Sequence, residues 1–179
     1  TSLKYIGQWA FSYQNLATIQ PLSSINFGNN CAITFIHDGA FKNSQITHLD
    51  LSVCKALTYL GKSVFEKSPL QTLQFDNPAL SFIGNYAFLT GSMTNLDLSK
   101  IPNVIHIGDA AFKSVLVSSL DFSQNTALQY IGSQAFYKAN LSNLDLTNNL
   151  NIKFLGSEAF RYSKLNEIWI SPLADFTVK

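Results

Sequence analysis

The sequence predicts a repeat solenoid, a coil of stacked turns of about 24 residues with a parallel β-sheet along its side. Two interlocked periodic series carry that expectation. An Ile/Leu-Gly-x-x-Ala-Phe block recurs with its phenylalanines at Phe11, Phe41, Phe65, Phe88, Phe112, Phe136 and Phe160, spaced 30, 24, 23, 24, 24 and 24 residues apart. An apolar-x-x-apolar-x-apolar block starts at Leu22, Ile46, Leu70, Met93, Val117, Leu141 and Leu165, spaced 24, 24, 23, 24, 24 and 24. Units of this length cannot bury their own apolar faces and do so by stacking on their neighbours. Composition agrees: 46% apolar and 13% charged residues is too apolar for disorder. No run approaches the ~18 apolar residues that a membrane-spanning helix needs, so no membrane insertion by this segment is expected.

The elements follow in chain order. Leu3-Lys4-Tyr5-Ile6-Gly7 reads as the second half of a repeat, so the chain is expected to be a piece of a longer protein. Six extra residues between Phe11 and Leu22 place an insertion at 12–21, a projecting loop or a local bulge. About seven repeats of 23–24 residues then fit one domain over 1–179, with a terminal segment at 171–179 where the pattern stops. Pro172 in that segment discourages further sheet pairing.

Within the unit, the end of the L-x-x-L-D-L block alternates apolar and polar residues, as in Leu144-Asp145-Leu146. That is the pattern of a half-buried strand, and seven such strands would stack about 4.8 Å apart into one parallel sheet. Ile131, Ala135 and Phe136 stand where they close the coil from the other side. The residue after the glycine is Asp38, Asn85, Asp109, Ser133 or Ser157 in five of seven copies. These types cap helix N-termini, so a single helical turn through Ala-Phe is expected in most repeats. The recurrent glycines, from Gly7 to Gly156, imply a backbone shape or a close approach that a side chain would block, although His37 replaces one of them. The phenylalanine ladder is read as a structural spine. Cys31 and Cys54, 23 residues apart, fall on neighbouring turns, where either two small buried thiols or a disulfide fits; the thiols are the default expectation.

Copies such as Leu120-Asp121-Phe122-Ser123 through Tyr130-Ile131-Gly132-Ser133-Gln134-Ala135-Phe136 resemble the BspA-like leucine-rich repeats of bacterial surface proteins and protist parasites. The resemblance runs from Leu3 to Ile170. It implies a leucine-rich-repeat, right-handed superhelix with a concave parallel sheet, and short helical turns or irregular segments opposite. It also implies adhesion or partner binding at a cell surface or after secretion, and carries over no catalytic residue and no cofactor.

The polar positions of the strand block would face the concave side. The four polar columns there hold Asp50, Asp76, Asp97, Asp121, Asp145 and Glu167 and no Lys or Arg. Basic residues sit elsewhere: Lys42, Lys113 and Arg161 directly follow their phenylalanines, with Lys67 and Lys138 one place further. A face of one sign focuses its field beyond what the net charge of +1 suggests. The strand face is therefore expected to prefer basic or polyhydroxyl partners, and the phenylalanine-following edge acidic ones. The candidate partner-binding residues are His48, Asp50, Gln74, Asp97, Asp121, Asp145, Glu167 and Trp169. Against this stands a structural reading, in which each Asp joins a Ser/Asp hydrogen-bond ladder along the sheet. Trp169 fits either an anchor for a partner or sugar ring or a cover for the end of the coil.

Chemistry is thin. Ser24, His48 and Asp50 share a face, but nothing supplies a strained nucleophile turn or an oxyanion hole. The three histidines occupy different columns, no Cys-x-x-Cys exists, and no phosphate loop appears. An acidic strand face opposes nucleic-acid binding. The sequence reads as a non-enzymatic module for a protein or glycan partner, with no catalytic, cofactor-binding or metal-ligating set. A structural spacer in a larger surface protein and an intracellular protist scaffold are the alternatives.

Overall fold

A computed structural model of the chain describes residues 2–13, 20–89, 92–171 and 177–178. The insertion at 12–21 and the terminal segment at 171–179 lie mostly outside the described residues. The described chain is a parallel-strand solenoid with almost no helix: β1 (Tyr5–Ile6), β2 (Phe35–Ile36), β3 (His48–Asp50), β4 (Tyr59–Leu60), β5 (Thr72–Gln74), β6 (Phe82–Ile83), β7 (His106–Ile107), β8 (Tyr130–Ile131), β9 (Asn143–Leu146), β10 (Phe154–Leu155), β11 (Glu167–Ile170) and β12 (Thr177–Val178). A 3₁₀ turn at Leu98–Lys100 is the one helical element among them.

The sheets are distributed differently from the sequence expectation. The continuous sheet has eight strands in the order β1-β2-β4-β6-β7-β8-β10-β12; all but β12 are the two residues before a Gly position of the repeat. Among the described residues the L-x-x-L-D-L blocks, expected to form one seven-stranded sheet, pair only as β3-β5 and β9-β11, with a single bridge from Thr72 to Asn95. In the fourth block Asp97 accepts from the Ser99 amide and caps the 3₁₀ turn, so the chain has left the extended course at Leu98, where the equivalent block in β9 continues as strand to Leu146. The backbone amides at the entry to each block still bridge neighbouring turns, as Gln71 N–H to Thr47 O and Thr94 N–H to Gln71 O, so the blocks keep one face. Pairing also does not stop at Pro172, because β12 adds to β10 in parallel.

The expected helical turns through Ala-Phe do not form. Two residues in most turns adopt left-handed φ, one just before Ala-Phe, such as Ala110 (φ 50), Gln134 (φ 57) and Glu158 (φ 59), and one two places after the Phe, such as Lys67 (φ 61), Ser114 (φ 67) and Lys138 (φ 61). This conformation turns alternate amides along the stack. Ala110, Phe112 and Ser114 donate to Ser133, Ala135 and Tyr137 of the next turn. Amides that a helix would pair within itself are thus used between turns. The presumed helix caps have the same use: Asp38 Oδ1 accepts from Lys62 N–H, Asn85 Oδ1 from Asp109 N–H and Asp109 Oδ1 from Ser133 N–H, each one turn on.

Close stacking explains the glycines. A Cβ on Gly132 would lie 2.5 Å from the Asp109 amide nitrogen and from the Gly108 carbonyl carbon, both backbone, whereas one on Gly7 meets nothing within 4 Å. Gly132→Ala is therefore expected to cost about 1–3 kcal/mol in chemical denaturation, and Gly7→Ala to be near neutral. Equal midpoints for the two variants would show that the turns do not pack this closely.

The core is a column of side chains down the coil axis. Phe41, Phe65, Phe88, Phe112 and Phe136 are fully buried and stack with centroids 5.1 to 5.6 Å apart, as the structural-spine reading expects. Phe11, in the first described turn, is exposed. A second ladder runs along the outside of the eight-stranded sheet: Tyr5, Phe35, Tyr59, Phe82, His106, Tyr130 and Phe154 follow one another at 4.3 to 5.8 Å. Burial between Phe82 and Tyr130 holds His106 below the ordinary imidazole pKa, against the opposing pull of Asp109. A depressed His pKa stabilises the fold at and above the unfolded value near 6.5, and that stability is lost as pH falls from about 6.5 towards the folded value. His106→Tyr is expected to remove this part of the pH dependence of the thermal midpoint; an unchanged slope in the variant would assign it elsewhere.

Polar groups line the core as well. Asn77 Nδ2 donates to Leu51 O and Cys54 O of the preceding turn. Asn125 does the same to Leu98 O and Ile101 O, and Asn149 to Phe122 O and Asn125 O. At the start of this column, Cys54 is fully buried and bonded to Cys31. The two cysteines form a disulfide rather than the pair of buried thiols expected, because neighbouring turns bring their Cα atoms to 4.7 Å, within disulfide reach.

Candidate functional site

Strand alternation sets the candidate face. In β3, β5 and β9 the leucines point inward and the polar residues outward. Register places His48 beside Thr72 and Asp50 beside Gln74, then Asn143 beside Glu167 and Asp145 beside Trp169. His48, Asp50, Gln74, Asp97, Asp121, Asp145, Glu167 and Trp169 are all exposed.

Ser99 and Ser123 donate to the carboxylates as the structural reading anticipates, but the bonds stay within each turn and do not run along the sheet. Four aspartates each accept from the amide two residues ahead in their own turn: Asp50 from Ser52 at 2.8 Å, Asp97 from Ser99 at 3.0 Å, Asp121 from Ser123 at 2.7 Å and Asp145 from Thr147 at 2.8 Å. The hydroxyls of Ser99 and Thr147 also donate, at 2.6 and 2.7 Å. A short polar side chain that bonds its own backbone in this way forms a turn by itself, and no neighbouring strand is required. The Thr147 hydroxyl and amide hold Asp145 below its ordinary pKa, so it stays charged well into mild acid. Asp76 departs from the others, since Lys55 donates to its carboxylate and its carbonyl oxygen, which interrupts the acidic strip.

His48 Nδ1 lies 2.8 Å from Thr72 Oγ1, so the imidazole is oriented towards the next strand instead of towards Ser24 or Asp50. Among the described residues no group of three or more His, Cys, Asp or Glu side chains is placed to hold a metal ion. The recess between Asp121 and Asp145 is about 50 Å³; larger ones, about 310 Å³ beside Asp50 and 390 Å³ among Leu3, Phe11, Ile25 and Phe27, lie in the first turns. Trp169 is itself exposed, as are Ile168 and Ile170, although their counterparts Leu144 and Leu146 one turn earlier are buried.

The model for BspA type leucine-rich-repeat regions matches the chain in 6 copies, over residues 1–112 and 81–176. The chain belongs to the BspA-type leucine-rich-repeat family. Among solved structures it is similar to the functional domain of InlJ from Listeria monocytogenes, which includes a cysteine ladder, at 12% identity and a TM-score of 0.36. That match covers 86% of this chain and 47% of the other, so the chain spans about half of that structure's length. No curated protein matches the sequence. Among the described residues no helix is long and apolar enough to cross a membrane.

The phenylalanine-following edge of this BspA-type solenoid is of mixed sign. Lys42 pairs with Glu66 at 2.8 Å, and Arg161 pairs with Glu158. Hydrogen bonds from Lys42 and Ser63 and the charges of Lys42 and Lys67 outweigh partial burial and hold Glu66 below the usual carboxylate range. Sequence reasoning missed the outer aromatic ladder, although its signal was readable: the residue before Ile/Leu-Gly is aromatic or histidine in every copy. It also missed the inward role of Asn77, Asn125 and Asn149, since an isolated asparagine after a strand reads as a turn residue.

Proposed function

We propose that the chain is a partner-binding module of a cell-surface or secreted protein, and that it engages a protein or glycan through the strand face holding His48, Asp50, Gln74, Asp97, Asp121, Asp145, Glu167 and Trp169. The observation that carries this reading is the set of outward aspartates Asp50, Asp97, Asp121 and Asp145, each oriented by the backbone amide two residues ahead. Groups already fixed in place lose less conformational freedom on binding. Membership of the BspA-type family supports an interaction role, and the Cys31–Cys54 disulfide supports an oxidising, extracytoplasmic setting. We read no catalytic role in it. The spacer alternative rests on a specific observation too: the same amide bonds give each of these four Asp side chains a structural use.

The two readings part on an Asp97→Asn/Asp121→Asn/Asp145→Asn variant. Asn keeps the acceptor that forms each turn and removes the charge, as Asn26 already does with Gly28 N–H. A screen against extracellular-matrix proteins and a glycan array is expected to give a salt-sensitive ligand whose affinity falls about tenfold or more in this variant. A ligand bound equally by the variant would move the site off this face. The absence of any ligand would leave the spacer reading.

A further inference from the structure

A separate feature lies on the opposite side of the repeat unit, in the last three turns. Lys113, Tyr137 and Arg161 occupy one column, directly after successive phenylalanines, and Lys138 and Tyr162 sit in the column beside it. Cations and tyrosines alternate across this grid. The Lys113 and Lys138 ammonium groups lie 4.6 and 5.6 Å from the Tyr137 ring centroid, and the Arg161 guanidinium 4.7 Å from that of Tyr162. The two tyrosine rings meet edge to face at 5.2 Å.

The cluster is also pre-ordered. Lys113 Nζ donates to Gln134 Oε1 at 2.7 Å, and Gln134 Nε2 donates to Glu158 Oε2 at 2.6 Å. Arg161 donates to Glu158 through one nitrogen and to the Tyr162 hydroxyl oxygen, at 3.0 Å, through another. One side-chain network thus spans three turns and fixes long side chains that would otherwise lose their freedom on binding. The cluster holds three cations, Lys113, Lys138 and Arg161, and one carboxylate, Glu158, so it keeps a surplus of positive charge. Tyr162 stays 59% exposed at its rim.

We propose that this cation–tyrosine cluster is a docking surface for an anionic polysaccharide carrying sulfate or carboxylate groups. The chemistry selects a glycan over an acidic peptide on two grounds. The exposed Tyr162 ring, beside the Arg161 guanidinium, offers an apolar face to a sugar ring while the cations of the cluster take the anionic substituents. The turns also recur about every 4.8 Å, close to the advance of one sugar unit along an extended chain. The inference goes beyond the strand-face reading and shares no residue with it.

The test uses the full chain and heparin as the sulfated probe, with poly-glutamate as the acidic-peptide comparison. Three variants are compared by titration calorimetry at 0.05 and 0.15 M salt: Lys113→Gln/Lys138→Gln/Arg161→Gln, Tyr162→Ala, and a control of equal charge change, Lys4→Gln/Lys100→Gln/Lys153→Gln. Thermal midpoints confirm that each is folded. The cluster variant is expected to bind heparin about tenfold more weakly or worse and with a reduced salt dependence, Tyr162→Ala to lose several-fold with the salt dependence intact, and the control to match the parent. Equal losses in cluster and control variants would reduce the binding to general charge attraction and overturn the proposal. So would poly-glutamate binding as tightly as heparin, or no heparin binding by the parent chain.

Discussion

Phe112→Ala is expected to destabilise the protein by about 3–5 kcal/mol. Phe112 is fully buried and stacked between Phe88 at 5.2 Å and Phe136 at 5.5 Å. Its removal takes away the transfer energy of one ring, opens a cavity the rigid turns cannot close, and breaks two ring pairs worth about 0.5–1.5 kcal/mol each. Position matters as much as chemistry. Because a solenoid is held together by nearest-neighbour interfaces, a break at the fifth turn should uncouple the turns on either side. Urea unfolding is expected to shift to a lower midpoint and lose cooperativity, with hydrogen exchange faster from Ala87 to Ala135 than at the ends. Phe11→Ala is the comparison, since Phe11 is exposed and, among the described residues, stacks on Phe41 alone. A cost for Phe11→Ala equal to that for Phe112→Ala would show that burial in the column is not what stabilises the coil.

Asn125→Asp should cost a similar amount for a different reason. The side chain is completely buried and its Nδ2 holds Leu98 O and Ile101 O, while its Oδ1 has no donor among the described residues. The substitution changes shape hardly at all. It replaces the donating nitrogen with oxygen, so a buried carboxylate would face two carbonyl oxygens. An unpaired buried charge costs about 3–5 kcal/mol at neutral pH. Desolvation raises the folded pKa of the new carboxyl above its unfolded value near 3.9. The penalty is then smallest below about pH 4, where both states are protonated, and grows as pH rises towards the folded pKa. Unfolding midpoints for parent and variant at pH 4 and pH 7 test this directly. A gap that is constant with pH would mean that the residue is solvated and does not bond across the turns.

The repeat and its family were legible because periodicity is a one-dimensional signal. The spacing of Phe41 to Phe160 and of Leu22 to Leu165 needs no coordinates, and it implies stacking as soon as one asks how a 24-residue unit buries its apolar face. The polar face was legible for the same reason: alternation in Leu144-Asp145-Leu146 places Asp145 outward in any strand. What each of these carboxylates bonds to was not. Asp145 and Thr147 read equally well as partners across strands or within a turn, and only the backbone course decides between them.

The residues by themselves therefore determined a coil of stacked repeats, its buried phenylalanine column and the outward set of acids. Tertiary structure decided which half of the unit forms the continuous sheet, that the Ala-Phe segment is a ribbon of left-handed turns, and that Cys31 and Cys54 are joined. It also assembled Lys113, Tyr137, Lys138, Arg161 and Tyr162 into one network. The physical reason is common to all of these. Each rests on bonds between residues about 24 positions apart, and the free energy of such a bond depends on the pitch and rotation of one turn over the next. A side-chain pattern reports which groups face outward; the stacking geometry selects their partners.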